Sequence, residues 1–192
     1  MKHEPLILII SAPSGAGKTT IANKILKDDP DIKQTVSYTT RTPRTGEKNG
    51  REYFFISDED FKKKIENKEF LEWEENFGKY YGTLKKQAED ILAGGKDVLL
   101  SIDVKGGKTV KAAYPASVSV FIMPPSVEAL ETRLTGRNTE KNEEIRRRLK
   151  EAEREIKAAE EYDYLLVNED LDKAVAELKT IIKTERTNRK NA

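Results

Sequence analysis

The stretch Leu6–Thr20, LILIISAPSGAGKTT, is an apolar run that breaks into a loop of small residues and ends in Lys18, Thr19 and Thr20. Such a loop turns successive backbone N–H groups toward one point at the positive end of the following helix. Small side chains leave room there for phosphate oxygens. Ala12, Pro13, Ser14, Gly15, Ala16 and Gly17 would form this cradle. Lys18 would reach the β- and γ-phosphates of a nucleoside triphosphate, and the Thr19 hydroxyl would ligate Mg²⁺. The strict pattern G-x-x-x-x-G-K-[ST] is missed at one place, where Ala12 stands for the first glycine. A plain turn between a buried strand and a helix could share the composition, but strand, loop, Lys-Thr and helix also follow in the required order.

A triphosphate cradle specifies no reaction, so the residues opposite it matter. In Ser37-Tyr38-Thr39-Thr40-Arg41-Thr42-Pro43-Arg44, two arginines three apart lie among hydroxyl residues. Guanidinium forks grip phosphate bidentately and hydroxyls fill the remaining lone pairs, which suits a second anion site, although a solvated basic loop has the same composition. Tyr53 and Tyr81 offer phenolic donors on apolar rings within an aromatic set that includes Phe54, Phe55, Phe70, Trp73, Phe77 and Tyr80. Packing into a small core is the other role open to these rings. Glu72 stands between Leu71 and Trp73, so strand alternation puts it on the face opposite both. There its carboxylate could accept from a purine with two adjacent N–H donors, which means guanine. Arg133, Arg137 and Arg148 surround the polar segment TGRNTEKN, where arginines could close over a phosphoryl group in transfer. Arg146, Arg147 and Arg148 are consecutive, so a helix cannot aim all three at one ligand.

These residues need a scaffold. Apolar runs at Leu6 to Ser11, Asp97 to Asp103, Ser117 to Met123 and Tyr164 to Val167 predict core strands of a parallel α/β sheet. Helices are expected from Lys18 to Lys27, Lys105 to Ala113, Val127 to Leu134, Glu143 to Glu161 and Leu171 to about Lys183, with Ser126 and Asp170 as caps. The region around 37–95 differs, with a short β-like run at Arg51 to Ile56 and a helix opened by the capping box Ser57-x-x-Asp60. The organisation expected is a core of residues 1–36 and 96–192, a lid at about 134–150, and an inserted lobe at 37–95. The charged tail Lys183 to Ala192 is expected to fray.

The composition restricts the classes of function. Of 192 residues, 35 are Lys or Arg and 34 Asp or Glu, giving a net charge of +1, so the chain as a whole does not read as a nucleic-acid or membrane binder. With no cysteine and only His3, disulfide, thiolate and histidine-metal chemistry drop out, and a cytoplasmic location is expected.

Taken together, SAPSGAGKTT, SYTTRTPR, NGREYFF, FLEW, YYGT, SIDVKG, RLTGR, RRRL and VNEDLDKA resemble the guanylate kinase family in order and spacing over roughly residues 6 to 182. The resemblance implies a P-loop nucleoside-monophosphate kinase fold: a parallel core sheet flanked by helices, an inserted mixed α/β lobe and a mobile lid. It implies transfer of the γ-phosphate of Mg-ATP to GMP, giving ADP and GDP, with dGMP as a further acceptor, in a monomer or homodimer. The residues matching Arg41, Arg44, Tyr53 and Tyr81 bind the GMP phosphate in that family, with Ser37 nearby, while Glu72 and Thr83 match the guanine readers. Asn168 matches a position beside the adenine. By charge, Lys18, Mg²⁺, Arg137 and Arg148 would share the negative charge of the phosphoryl group in flight, while Arg41 and Arg44 hold the acceptor phosphate in line. Ser101 departs from the family, which has an acidic residue where Ser101-Ile102-Asp103 stands. The serine keeps hydrogen-bonding capacity but loses the charge near the acceptor nucleotide. Asp103 remains at the strand end, where a carboxylate helps hold Mg²⁺ through water.

Domains resembling this family also serve as catalytically silent interaction modules, with eroded phosphate loops and lids. This chain keeps Gly15, Gly17, Lys18, Thr19, Arg137 and Arg148, which favours an enzyme. An acceptor other than GMP is the remaining competitor, and Glu72 with Thr83 argues for guanine.

Overall fold

The computed structural model describes residues 4–76, 78–135 and 142–190; within helices, the side chains of residues 127, 133–135 and 142–148 are not described. Five parallel strands form the core sheet: β1 (Ile7–Ser11), β2 (Ile32–Gln34), β7 (Asp97–Ser101), β8 (Val118–Met123) and β9 (Tyr164–Val167), in the spatial order β2-β7-β1-β8-β9. β1 pairs with β7 on one side and β8 on the other, and its run of apolar residues is buried on both faces. Alternation assigns the faces. Leu6, Leu8 and Ile10 pack with Ile21 and Ile25 of helix α1 (Lys18–Asp28) and with Leu178 and Ile182 of α7 (Leu171–Lys190). Ile7 and Ile9 pack with Ala88 of α3 (Lys85–Ala93) and Val110 of α4 (Val104–Ala113). A parallel strand covered on both faces must be apolar, as the central strand β1 is up to its terminal Ser11.

The second sheet has the order β4-β3-β6-β5, from β3 (Tyr38–Thr39), β4 (Phe54–Phe55), β5 (Phe70–Asn76) and β6 (Lys79–Leu84). It is mixed, with β3 parallel to β4 and antiparallel to β6. Helix α2 (Asp58–Glu66) starts where Ser57 Oγ accepts the Asp60 N–H at 3.0 Å. Its Phe61 is fully buried, stacked on Phe70 at 4.3 Å and Tyr80 at 5.3 Å between centroids. α5 (Val127–Thr135) and α6 (Asn142–Lys157) flank the undescribed residues 136–141.

The expected strands and helices recur with shifted ends, α3, β3 and β6 are additional, and the helix expected to reach Glu161 gives way to a 3-10 turn after Lys157; four further differences have physical reasons. β2 carries only one buried apolar residue, too little to announce a strand, yet it pairs with β7 over three residues. β7 stops at Ser101, because Asp103 leaves the sheet to cap α4 by accepting the Gly106 N–H at 2.8 Å. The strand expected at Arg51 to Ile56 shrinks to Phe54–Phe55. The tail does not fray at Lys183, since α7 continues to Lys190. Arg186 explains the continuation: it donates to Asp29 and to the buried Asp97, each at 2.7 Å, and the other Asp97 oxygen accepts the Leu6 N–H at 2.9 Å.

Candidate active site

Beyond the C-terminal end of β1, between two neighbours from distant parts of the chain, the loop Ala12–Gly17 turns into α1, which is where ligands bind in open parallel sheets. Gly15 and Gly17 hold left-handed φ values of 90° and 97°, and Gly17 caps α1 with no side-chain acceptor. The first amides of the helix are therefore left for an outside anion. A Cβ at Gly17 would meet Asn168 Nδ2 at 2.3 Å. Asn168 is buried behind the loop and donates to the Ala16 carbonyl at 2.7 Å. Ala12 has no left-handed φ, and its methyl lies in the core, so the position does not call for glycine. Lys18 Nζ donates to the Ile102 carbonyl at 2.7 Å. Burial lowers its pKa, opposed by the charges of Asp103, Glu155 and Glu72.

Glu72 comes from the second sheet to meet this loop. A β-bulge between Phe70 and Glu72 breaks the simple alternation expected there: Leu71 packs with Ile7 and Ile9, Trp73 is 42% exposed, and Glu72 is 5% exposed in the cleft. The carboxylate lies so close to α4 that a Cβ on Gly106 would sit 2.7 Å from Glu72 Oε2. Burial pushes its pKa up to about 7, with the Asp103 charge adding to the rise and contacts with Thr83, its cross-strand neighbour, holding it back. The Thr83 and Ser37 hydroxyls are 3.2 Å apart.

The arginine loop forms a third wall. Arg41 is paired with Glu47, at 2.8 and 2.9 Å, and the Arg44 N–H donates to the same carboxylate at 2.7 Å. Tyr53 and Tyr81 meet edge to face at 6.0 Å between centroids. Burial raises the Tyr53 pKa, so the phenol stays a donor at neutral pH. The aromatic set thus divides: Tyr53 and Tyr81 line the cleft, while Phe61, Phe70 and Tyr80 form the lobe's own core.

The cleft encloses about 370 Å³, with Pro13, Ser14, Gly15, Gly17, Lys18, Thr19 and Thr20 on one side and Ser37, Arg44, Tyr53, Glu72 and Tyr81 on the other. Ser101, Ile102 and Asp103 line it between them, and a recess of about 550 Å³ holding Arg41 shares Thr19, Ser37, Arg44, Tyr53 and Ser101 with it. Arg137 and Phe77 lie outside the described residues, as does His3; Arg133 and Arg148 lie on α5 and α6 with their side chains outside the description. Two acidic residues at the site escaped the sequence reading. Glu47 follows the arginine pair, and its neighbours Thr45, Gly46 and Lys48 give it no context. Glu155 of α6 lines the cleft, and burial pushes its pKa up to about 7 against the pull of Lys18. Spacing in sequence offers no signal for either.

Thr19 and Asp103 both line this cleft and carry oxygens of the kind a divalent cation takes, and among the described residues no group of three or more His, Cys, Asp or Glu could hold a metal ion. A hydroxyl and a carboxylate fit Mg²⁺, which binds few protein ligands and keeps waters and substrate phosphates in its shell.

A glycine-bent phosphate loop on the central strand of a parallel sheet, facing a separate lobe that carries arginines and a buried acid, defines a P-loop phosphotransferase. The guanylate kinase family model matches residues 4–185. A guanylate kinase of Symbiobacterium thermophilum is 47% identical over 96% of this chain and 88% of its own length, and one of Dechloromonas aromatica 45% identical over 92% and 88%. The crystal structure of guanylate kinase from Anaplasma phagocytophilum superposes with a TM-score of 0.81 at 37% identity, covering 97% of this chain and 88% of that one. The chain belongs to the guanylate kinase family. Among the described residues no helix is long and apolar enough to cross a membrane.

Proposed function

We propose that the chain transfers the γ-phosphate of Mg-ATP to GMP, yielding ADP and GDP, and that it takes dGMP as well. The observation that carries this reading is the placement of a buried carboxylate, Glu72, beside Thr83 in the same cleft as the phosphate loop. A carboxylate accepts the N1–H and exocyclic N–H of guanine together, whereas adenine would present an unprotonated N1 to it.

In this reading the loop Ala12–Gly17 with Lys18, Thr19 and Thr20 binds the ATP phosphates, and Asn168 supports the loop near the adenine side. Arg41, Arg44, Tyr53, Tyr81 and Ser37 hold the GMP phosphate, with Ser101 and Asp103 between the two substrates. Thr19 and Asp103 would hold Mg²⁺, which when bound offsets phosphate charge. The attacking oxygen belongs to the GMP phosphate and is ionised near neutral pH, so no general base is required. Catalysis is then placement and charge. Lys18 exchanges the Ile102 carbonyl for phosphate oxygens, Arg137 and Arg148 share the charge of the phosphoryl group in flight, Arg133 adds to the ATP site, and Arg41 keeps the acceptor in line. Closure of the lobe at 37–95 over the core excludes water and limits hydrolysis of ATP. The reaction is assigned to the cytoplasm.

The test is a panel of GMP, dGMP, AMP, CMP and UMP with Mg-ATP, read as ADP formed. Strong preference for the guanine nucleotides is expected. No turnover with any of them would refute the reading and favour a binding module.

A further inference from the structure

Arg41 is held by its own loop before any ligand arrives. Its Nη1 donates to Glu47 Oε2 and to the Thr42 carbonyl, both at 2.8 Å, and its Nη2 donates to Glu47 Oε1 at 2.9 Å. A guanidinium has five N–H donors in one plane. Three are thereby used, and none of the described residues accepts from the remaining two, Nε–H and the second Nη2–H. Those two lie parallel on one edge, the geometry that matches two oxygens of a phosphate. Tyr53 and Phe55 stand against the guanidinium at 5.3 and 5.6 Å from their centroids, which limits its rotation. The pair is largely shielded, with side-chain exposures of 15% and 18%. Mutual pairing raises the arginine pKa and lowers that of the glutamate, so both stay charged at neutral pH.

Glu47 also fixes the second arginine's backbone. Its Oε2 accepts the Arg44 N–H at 2.7 Å, and its own N–H donates to the Arg44 carbonyl at 3.1 Å. By charge alone a carboxylate beside an anion site opposes binding. The gain lies in order: a long, rotamer-rich side chain is immobilised before the phosphate arrives, so binding need not supply that entropy.

We propose that Glu47 is a positioning residue that clamps one edge of Arg41, so that the adjacent edge, Nε–H with the second Nη2–H, stands as a rigid two-pronged receptor for the acceptor's phosphate. The inference rests on the reading of this cleft as a site for GMP. It is tested by titrating wild type and Glu47→Gln with GMP and with guanosine, which has no phosphate. GMP affinity should fall about ten-fold, the scale of a lost charge-assisted contact, while guanosine affinity stays the same. In an Arg41→Ala background the same substitution should add less than about two-fold, because the fork is gone and the remaining hold on the Arg44 N–H needs only an acceptor oxygen, which glutamine keeps. Glu47→Asp keeps the charge but is too short to span both nitrogens; it should repeat the pattern at smaller amplitude and serves if Glu47→Gln does not fold. Equal losses for GMP and guanosine would reduce Glu47 to a structural part and overturn the proposal. Tighter GMP binding would overturn it by making Glu47 a competitor for the fork. A wild type that binds GMP no better than guanosine would overturn both the proposal and the acceptor reading beneath it.

Discussion

In the proposed reading the Ala12–Gly17 loop is a donor loop and the arginine-bearing sheet an acceptor lobe, and the two would bind the same chemical group by different means. The donor loop is made of backbone: Gly15 and Gly17 bend it, Asn168 props it from behind, and Lys18 is its one charged side chain. The acceptor lobe is made of side chains that first satisfy one another, Arg41 with Glu47 and Thr83 with Ser37. A backbone site is encoded in one short contiguous segment and tolerates changes of side chain where φ is ordinary. A side-chain site draws on Ser37 to Thr83, and the loss of any partner leaves a buried charge or donor behind.

The largest effect should come from the one charged side chain of the donor loop. Lys18→Ala should leave the fold intact and lower kcat by on the order of 10²-fold or more, the scale for removing a preorganised charge aimed at a transition state. Steady-state kinetics together with a thermal melt checks it. Near-normal turnover would mean that Lys18 is not the lysine that acts on the phosphates.

In the acceptor lobe the corresponding substitution is Glu72→Gln, which keeps the volume but turns one acceptor oxygen into a donor. A charge-assisted hydrogen bond contributes roughly 1.5–3 kcal/mol, and the mispaired group adds to the loss, so kcat/KM for GMP should fall at least about ten-fold. The ratio of GMP to AMP activity should fall with it. Retention of both quantities, or a change confined to KM for ATP, would refute the base-reading role.

The same difference decides what could be read from the sequence. The donor loop was legible because its chemistry is contiguous: a buried strand, small residues, Lys-Thr and a helix occupy fifteen positions. The strands β1, β7, β8 and β9 are legible for a similar reason, each containing an apolar run. β2 was not, since pairing with β7 rather than composition makes it a strand. Arg186 looked like one charge in a frayed tail because its partners Asp29 and Asp97 are far away in the chain. Glu72 was noticed from its apolar neighbours, but the bulge that delivers it to the cleft depends on the register with Thr83. Glu47 carries no signal in the sequence, because an acidic residue after two arginines acquires meaning only when the loop folds back on itself.

The pH dependence tests the side-chain site without mutation. The Glu72 carboxyl, with its pKa raised to about 7 by burial, is partly protonated at neutral pH in the free protein, whereas guanine requires its ionised form. KM for GMP should rise several-fold between pH 8 and pH 6. The GMP phosphate itself titrates near pH 6, so the diagnostic quantity is the part that disappears in Glu72→Gln. Stability moves the opposite way. A folded-state pKa above the unfolded value means that the folded state holds the proton more tightly, so this group's contribution is full below about pH 4.5 and is lost as pH rises toward 7. Melts of the free protein should therefore show a drop across that window that Glu72→Gln reduces, the remainder coming from Glu155, which burial raises to the same value. A flat profile in both measurements would place the pKa outside this range.

Ser101 permits a gain-of-function test on the border between the two regions, since it lines both the cleft and the arginine recess. Ser101→Asp restores the acidic residue that the family has at this position and gives the acceptor arginines a further partner. KM for GMP should fall by about two- to three-fold, within the range of a partly exposed ion pair, with KM for ATP nearly unchanged. A raised KM for GMP would contradict the idea that the serine leaves a contact unmade.

The smallest effect is expected at Ala12, where the comparison makes its strictest demand. If the donor loop is a backbone device, restoring the glycine of the strict motif should do nothing for catalysis. Ala12 has an ordinary φ and its methyl is buried among core residues, so glycine relieves no strain and removes a small contact. Ala12→Gly should leave kcat and KM for ATP within about two-fold while lowering stability by roughly 0.5–1 kcal/mol, through the lost methyl and the added freedom of the unfolded chain. Kinetics and a denaturant titration check the two halves independently. A marked drop in KM for ATP would show that the methyl does obstruct the phosphates, and that even this loop is tuned by its side chains.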